Sequence, residues 1–296
     1  MATLTMEDAK GKAIARLRWL DLTEADAGSA HCQSISPMDR GLAYGDGLFA
    51  TMALANAGNI AFLNTHLSRL HQGASRLGFA LDIEDIQSRL LAAAKAHGDN
   101  QIPRGLKLLI SRGPGGRGYL APEDVRPVAI LSVFDIPAHY ADWQQHGIAL
   151  VSSELALARQ PKLAGIKHLN RLEQVLIRRQ PLPEWADDFL VSDGDGYLVE
   201  ASMANLIFIK GKQCITPSLA YSGVSGVMRQ QVIMALLTLG YSVEMKPLPC
   251  MELATFDAVL MTNSLLGAVD VTRIDDHHYK AFSGTNKVRK ALELTR

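Results

Sequence analysis

An α/β fold divided into two domains is what this sequence predicts, on three observations. Apolar residues alternate along the chain between short strand-like runs and three-and-four helical spacings. The 296 residues, 48% hydrophobic and 20% charged, have globular composition and length for one or two cores. Midway, Ile136-Pro137-Ala138-His139-Tyr140 breaks the alternation. The break sets a small N-terminal α/β domain over residues 1–137, an interdomain linker over 138–144, and a larger C-terminal domain over 145–296.

The elements follow in order. Leu63, Leu67, Leu70, Ala74 and Leu77 mark an amphipathic helix from a cap at Asn64 or Thr65 to a stop at Gly78. A second helix over 82–97 turns Ile83, Ile86, Leu90 and Leu91 inward and ends at Gly98. Strands at 106–111 and 127–135 are joined by a glycine-rich loop. A strand at 147–152 leads through the segment around Lys167 into a helix carrying Leu169, Leu172, Leu176 and Ile177. One hairpin pairs 189–191 with 197–199 through Asp193-Gly194-Asp195-Gly196, and another pairs 206–209 with 213–215 through Gly211. A helix over 227–239 closes at Gly240, and strands at 243–245 and 258–262 complete the core.

Charge narrows the function. Thirty Lys plus Arg balance thirty Asp plus Glu, so no global field gathers nucleic acid or an anionic membrane, and neither is expected as a partner. Cys32, Cys214 and Cys250 are odd in number and far apart, which predicts neither a disulfide framework nor a metal site and fits a reduced, cytoplasmic setting. Residues 1–20 mix charges among their apolar positions and read as no signal peptide, and no apolar run is long enough to span a bilayer.

Two motifs match in letters and fail in context. Gly113-Pro114-Gly115-Gly116-Arg117-Gly118 spells GxGxxG, but no helical stripe follows it to receive a pyrophosphate. A calcium loop starting at Asp193 would need an acid or amide where Tyr197 stands and Glu where Ala204 stands, so that segment reads as a turn. His277-His278 reads as a solvated pair.

Leu163-Ala164-Gly165-Ile166-Lys167-His168-Leu169-Asn170-Arg171 is the informative stretch. Lys167 is either a surface lysine or, in its apolar setting, a desolvated amine suited to Schiff-base and general-base chemistry. Schiff-base enzymes commonly use pyridoxal phosphate, which asks for an anion site and a partner for its ring nitrogen. Ser225-Gly226-Val227-Met228-Arg229 opens a helix whose N–H groups suit an anion, Arg69 offers a fork of charge, and Glu200 ends a strand. Each also has an ordinary structural reading, and spacing alone does not choose.

These residues sit within a longer series of blocks. They are Asp39-Arg40-Gly41, Gly45-Asp46-Gly47-Leu48-Phe49, His66-Leu67-Ser68-Arg69-Leu70, Ser111-Arg112-Gly113 through Gly118-Tyr119, Pro137-Ala138-His139-Tyr140, the Lys167 segment through Gln174, Glu200 with Asn205-Leu206, Gly226 to Gln230, and Thr262-Asn263-Ser264. In order and spacing the series resembles the fold-type IV pyridoxal-phosphate enzymes, the class IV aminotransferase group, from about Ser36 to Val271.

The resemblance implies two α/β domains with pyridoxal 5'-phosphate in the cleft between them, and a homodimer. It implies Lys167 as the cofactor's Schiff-base lysine and catalytic base, Glu200 on the pyridine nitrogen, and Arg69 on the phosphate. The N–H groups of Val227 and Met228 and the Asn263-Ser264 turn would assist Arg69, while Tyr119 and Arg117 would face the substrate. The Lys167 segment, Gly118-Tyr119 and the Pro-Ala-His-Tyr block are most similar to the branch that eliminates pyruvate from 4-amino-4-deoxychorismate, leaving 4-aminobenzoate for folate biosynthesis. Transamination of branched-chain or D-amino acids is the alternative. The chain departs from the group's pattern in the extra residues ahead of Ser36 and in Ala50-Thr51 after Phe49.

Overall fold

In the computed structural model the described residues are 17–22, 34–55, 58–98 and 102–292. Cys32 and most of the N-terminal stretch read as leaderless lie outside them. The chain divides into two compact units, Met1–Ile136 with Lys167–Asn170, and Pro137–Ile166 with Arg171–Arg296.

The first unit runs β1 (Arg18–Leu22), α1 (Arg40–Tyr44), β2 (Gly47–Ala55), β3 (Asn59–Ile60), α2 (Leu63–Leu77), α3 (Ile83–His97), β4 (Arg104–Ser111) and β5 (Val128–Asp135). Its sheet has the order β1-β5-β4-β2-β3, with β1 parallel to β5 and the other pairs antiparallel. Leu106, Leu108 and Ile110 of β4 are fully buried, the period-two signature of one face turned to a core. Leu67, Leu70 and Ala74 bury the apolar stripe of α2, which lies against β2.

The second unit runs α4 (His139–His146), β6 (Ile148–Ser152), α5 (Leu172–Arg178), β7 (Asp188–Ser192), β8 (Leu198–Ala201), β9 (Asn205–Lys210), β10 (Gln213–Pro217), α6 (Val227–Thr238), β11 (Ser242–Lys246), a 3₁₀ turn (Cys250–Thr255), β12 (Ala258–Asn263), β13 (Gly267–Ile274), β14 (His277–His278) and α7 (Thr285–Ala291). Its sheet has the order β11-β10-β9-β12-β13-β6-β7-β8, with the exposed β14 paired to β13. Strands β8, β9 and β12 are buried almost continuously, which explains their unbroken apolar runs. Among the described residues no helix is long and apolar enough to cross a membrane, and Cys214 and Cys250 are unbridged.

Several expectations need correction. The first helix starts at Leu63, and its N-cap is Phe62 rather than Asn64 or Thr65. On α3 the inward row is Ile86, Leu90 and Ala94, while Leu91 is exposed. Residues 138–144, read as a linker, lie mostly in α4, where Tyr140 and Trp143 stack at 5.4 Å. Leu169 is not helical, because α5 begins only at Leu172, and Leu172 and Leu176 are exposed. As expected, the Gly113 loop opens no helix. Asp193 is committed to its own turn, accepting from the N–H groups of Asp195 (3.0 Å) and Tyr197 (3.1 Å), and pairs with Arg159 at 2.7 Å.

Candidate active site

In the first unit, Lys167 is placed by backbone pairing rather than by a helix. Phe49 N–H donates to Lys167 O at 3.0 Å, Leu169 N–H donates to Gly47 O at 3.0 Å, and Leu48 and His168 face each other across an antiparallel bridge. Residues 167–169 thus extend the sheet along the start of β2. Lys167 Nζ lies over the Phe49 ring, 4.3 Å from its centroid.

Gly47 makes this approach sterically feasible. A Cβ there would lie 2.2 Å from Ile110 O, 2.7 Å from Leu169 Cδ1 and 2.9 Å from Ser111 Cα. Gly47→Ala is therefore expected to destabilise the protein by about 1–3 kcal/mol and to displace the Lys167 segment. Urea unfolding and cofactor titration check both effects, and a variant with wild-type values in each would refute the close packing.

Helix α2 contributes two more groups one turn apart on one face, His66 and Arg69. His66 is buried, and its Nδ1 has no hydrogen-bond partner among the described residues. Burial first, and then the charges of Arg69 and Lys167, push its pKa down to about 3, so the imidazole is neutral at pH 7. Arg69 Nε and Nη2 are shut off from water, and burial lowers its pKa to about 10, leaving the guanidinium charged. The charges of Arg69 and Lys167 both act on this neutral histidine, a local excess of positive charge that suits an anion. His66 was legible only as a letter of the His66-Leu67-Ser68-Arg69 block, and the signal that could have marked it is its three-residue spacing from Arg69.

Arg117 and Tyr119 sit on an exposed loop of the same unit, Tyr119 at 87% exposure. Buried Arg40 holds that loop through the carbonyls of Gly118 (3.1 Å), Tyr119 (2.7 Å) and Leu120 (3.3 Å). The Tyr119 ring meets Tyr44 edge-on at 5.4 Å. Arg40 Nε also donates to Asp46 at 2.8 Å, and Arg112 donates to the same carboxylate at 2.7 and 3.0 Å. Arg112 then reaches the last carbonyls of α2 at Leu77 (2.7 Å) and Gly78 (3.2 Å). One carboxylate thus ties the Gly118–Leu120 loop to the end of the helix that carries Arg69. Ala50 is fully buried within β2.

In the second unit, Glu200 is buried at the end of β8 and Oε2 accepts from Val224 N–H at 2.9 Å and from Asn205 Nδ2 at 3.3 Å. Asn205 Nδ2 also donates to Val224 O at 2.9 Å. The charge of Glu200 acts on Arg171 and Arg229, raising pKa values that burial otherwise lowers. The same asparagine seats the start of α6, because a Cβ on Gly226 would lie 2.1 Å from Asn205 Oδ1.

Gly226 caps α6 with no side-chain hydrogen bond, and the first turn holds no acid. The N–H groups of buried Val227 and Met228 therefore head a helix end whose dipole and free donors suit a phosphate. Asn263 Oδ1 accepts from Leu265 N–H (3.0 Å) and Leu266 N–H (2.8 Å), which fixes the Asn263–Ser264 turn. Burial raises the Tyr140 phenol above its usual 10, against a hydrogen bond with the Asn263 side chain.

The donor chemistry fits pyridoxal phosphate. The first unit offers a half-buried primary amine and a buried guanidinium, and the second an uncapped helix N-terminus and a buried carboxylate, which are the donor types that its aldehyde, its phosphate and its ring nitrogen call for. Among the described residues no cluster of three His, Cys, Asp or Glu side chains is arranged for a metal.

Comparison with known proteins points the same way. The family described as amino-transferase class IV matches residues 47–274. Aminodeoxychorismate lyase of Vibrio harveyi is 36% identical over 256 residues, 86% of this chain and 93% of that protein. D-alanine aminotransferase of Bacillus licheniformis is 24% identical over 238 residues, 80% of this chain and 82% of that protein. The crystal structure of 4-amino-4-deoxychorismate lyase from Pseudomonas aeruginosa superposes with a TM-score of 0.83 at 37% identity, covering 88% of this chain and 95% of that one.

Proposed function

The chain belongs to the class IV aminotransferase family and is a pyridoxal-phosphate-dependent enzyme, and we propose that it is a lyase converting 4-amino-4-deoxychorismate to 4-aminobenzoate and pyruvate. The observation that carries this reading is the margin of likeness. The two lyases match at 36% and 37% identity over nearly their whole length, against 24% for the aminotransferase.

When bound, pyridoxal phosphate supplies an electron sink for a carbon that loses its proton. Lys167 Nζ would hold the cofactor's aldehyde carbon, and as a free amine it would take the proton from the substrate carbon that bears the amino group. The Phe49 ring under Nζ holds the amine in place and excludes water from that side. The Glu200 carboxylate, oriented by Val224 N–H and Asn205, would hold a proton on the pyridine nitrogen. Arg69 would meet the phosphate charge, and the N–H groups of Val227 and Met228 and the Asn263–Ser264 turn would offer donors to its oxygens. Arg117 and Tyr119 face the substrate. The enolpyruvyl ether leaves as pyruvate while the ring becomes aromatic, so atoms balance with no second substrate. A homodimer working in the cytoplasm, in folate biosynthesis, completes the reading.

The test is incubation of the purified holoprotein with 4-amino-4-deoxychorismate and no keto acid. Equal amounts of 4-aminobenzoate and pyruvate are expected. Turnover seen only after an amino acid and a keto acid are supplied would replace the lyase with a transaminase.

A further inference from the structure

A turn of the second unit links the two side chains that meet at Glu200. Ser202, Met203 and Ala204 join β8 to β9, closed by Ala201 N–H donating to Ala204 O at 2.7 Å. Glu200 precedes the turn, Asn205 follows it, and their side chains bond each other at 3.3 Å.

What grips the turn from outside is a buried acid. Asp188, the first residue of β7, has no exposed surface, and its Oδ1 accepts a hydrogen bond from Ser202 Oγ. The same oxygen accepts from Arg178 Nη1 at 2.7 Å, while Oδ2 has no hydrogen-bond partner among the described residues. Ser202 N–H donates to Phe189 O at 3.1 Å, and Tyr140 OH donates to Met203 Sδ at 3.4 Å. Burying a carboxylate with one oxygen unsatisfied is costly, and a neutral acceptor would hold a serine hydroxyl at a lower desolvation penalty. A charged group here has a stronger grip on the hydroxyl than a neutral one, since charge-assisted hydrogen bonds are shorter and stronger.

We infer that Asp188 is a positioning residue for Glu200. By holding Ser202 it fixes the turn that joins Glu200 to Asn205, and with it the direction of the Glu200 carboxylate. Tyr140, from the Pro-Ala-His-Tyr block, steadies the same turn through Met203. This rests on the role proposed above for Glu200 at the cofactor's ring nitrogen.

Four variants test it: Glu200→Gln as the reference, Asp188→Asn, Ser202→Ala and Ser202→Thr. Two quantities are read, the dissociation constant of pyridoxal phosphate from titration of the apoprotein, and the pH midpoint of the bound cofactor's absorbance change. Asp188→Asn and Ser202→Ala are expected to weaken cofactor binding about tenfold, the size seen when an outer partner of a contacting group is lost. Both should move the pH midpoint in the direction Glu200→Gln moves it, and Ser202→Thr, which keeps the hydroxyl, should restore wild-type values. If Asp188→Asn does not fold, the two Ser202 variants decide. Ser202→Ala with only a lower Tm and both readouts unchanged, while Glu200→Gln changes them, would overturn the positioning role. A Ser202→Thr variant behaving like alanine would overturn it too. A Glu200→Gln variant that alters neither readout would instead remove the Glu200 assignment beneath it.

Discussion

Lys167→Ala is expected to abolish the visible absorbance of the bound cofactor and to lower turnover by at least about 10³-fold, while the protein stays folded. The loss is large because one amine serves as both anchor and base, and general-base transfer alone is worth roughly 10²–10⁴-fold. The fold should survive because residue 167 is held by main-chain groups that alanine retains, through Phe49 N–H and the pairing of Leu48 with His168. Removing Nζ also takes one cation away from His66 and Arg69. The His66 pKa, held near 3 by burial, by Arg69 and by Lys167, should then rise part of the way toward its usual 6.5. Absorbance spectra, turnover and imidazole titration of the apoprotein by NMR check the three parts. Normal turnover in the variant would remove Lys167 from the mechanism.

Asp46→Asn is expected to cost stability rather than chemistry. Asp46 lies between Arg40 and Arg112, whose side chains are 4% and 7% exposed, and losing the shared carboxylate leaves two buried guanidinium groups uncompensated. Breaking such an arrangement costs about 3–5 kcal/mol, or on the order of 10 °C in Tm. The pH dependence has a defined sign. Burial alone would raise the Asp46 pKa, but the hydrogen bonds and charges of Arg112 and Arg40 outweigh it and hold it below 3.8. A depressed carboxyl contributes its full stability above the unfolded value and loses it as pH falls through the folded one. The wild-type urea midpoint should therefore fall by an extra increment below about pH 4, and that increment should be absent in Asp46→Asn. Equal midpoints for the two proteins at pH 7 would show that the two arginines do not depend on this acid.

Local signals carried much of the fold. Helices α2 and α3 were bounded by Gly78 and Gly98 because those glycines end regular apolar spacing in a sequence-visible way. The hairpins at 193–196 and 211 followed from turn chemistry that acts over four residues. What stayed hidden was set by distant partners. Leu169 looked helical beside Leu172 and Leu176, yet β2 captures residues 167–169 as an added strand and delays the helix. Leu91 fitted the α3 stripe as well as Ala94 does, and only packing separates them. Residues 138–144 read as a linker after the break at Ile136-Pro137, although most of them fold as α4. Lys167, Arg69 and Glu200 were named from block order. Their supports, His66, Asn205, Asp46 and Asp188, gain their meaning from three-dimensional neighbours that periodicity does not report.

The pairing of Leu48 with His168 has a consequence for biogenesis. The Lys167 segment completes the first unit from some 120 residues downstream of the strand it joins. Closing so long a loop is entropically slow, and chains emerge from the ribosome N-terminus first. A nascent polypeptide halted near residue 160 therefore has the β2 edge without its covering segment. The β2 edge is therefore covered only after synthesis has passed the midpoint of the 296-residue chain.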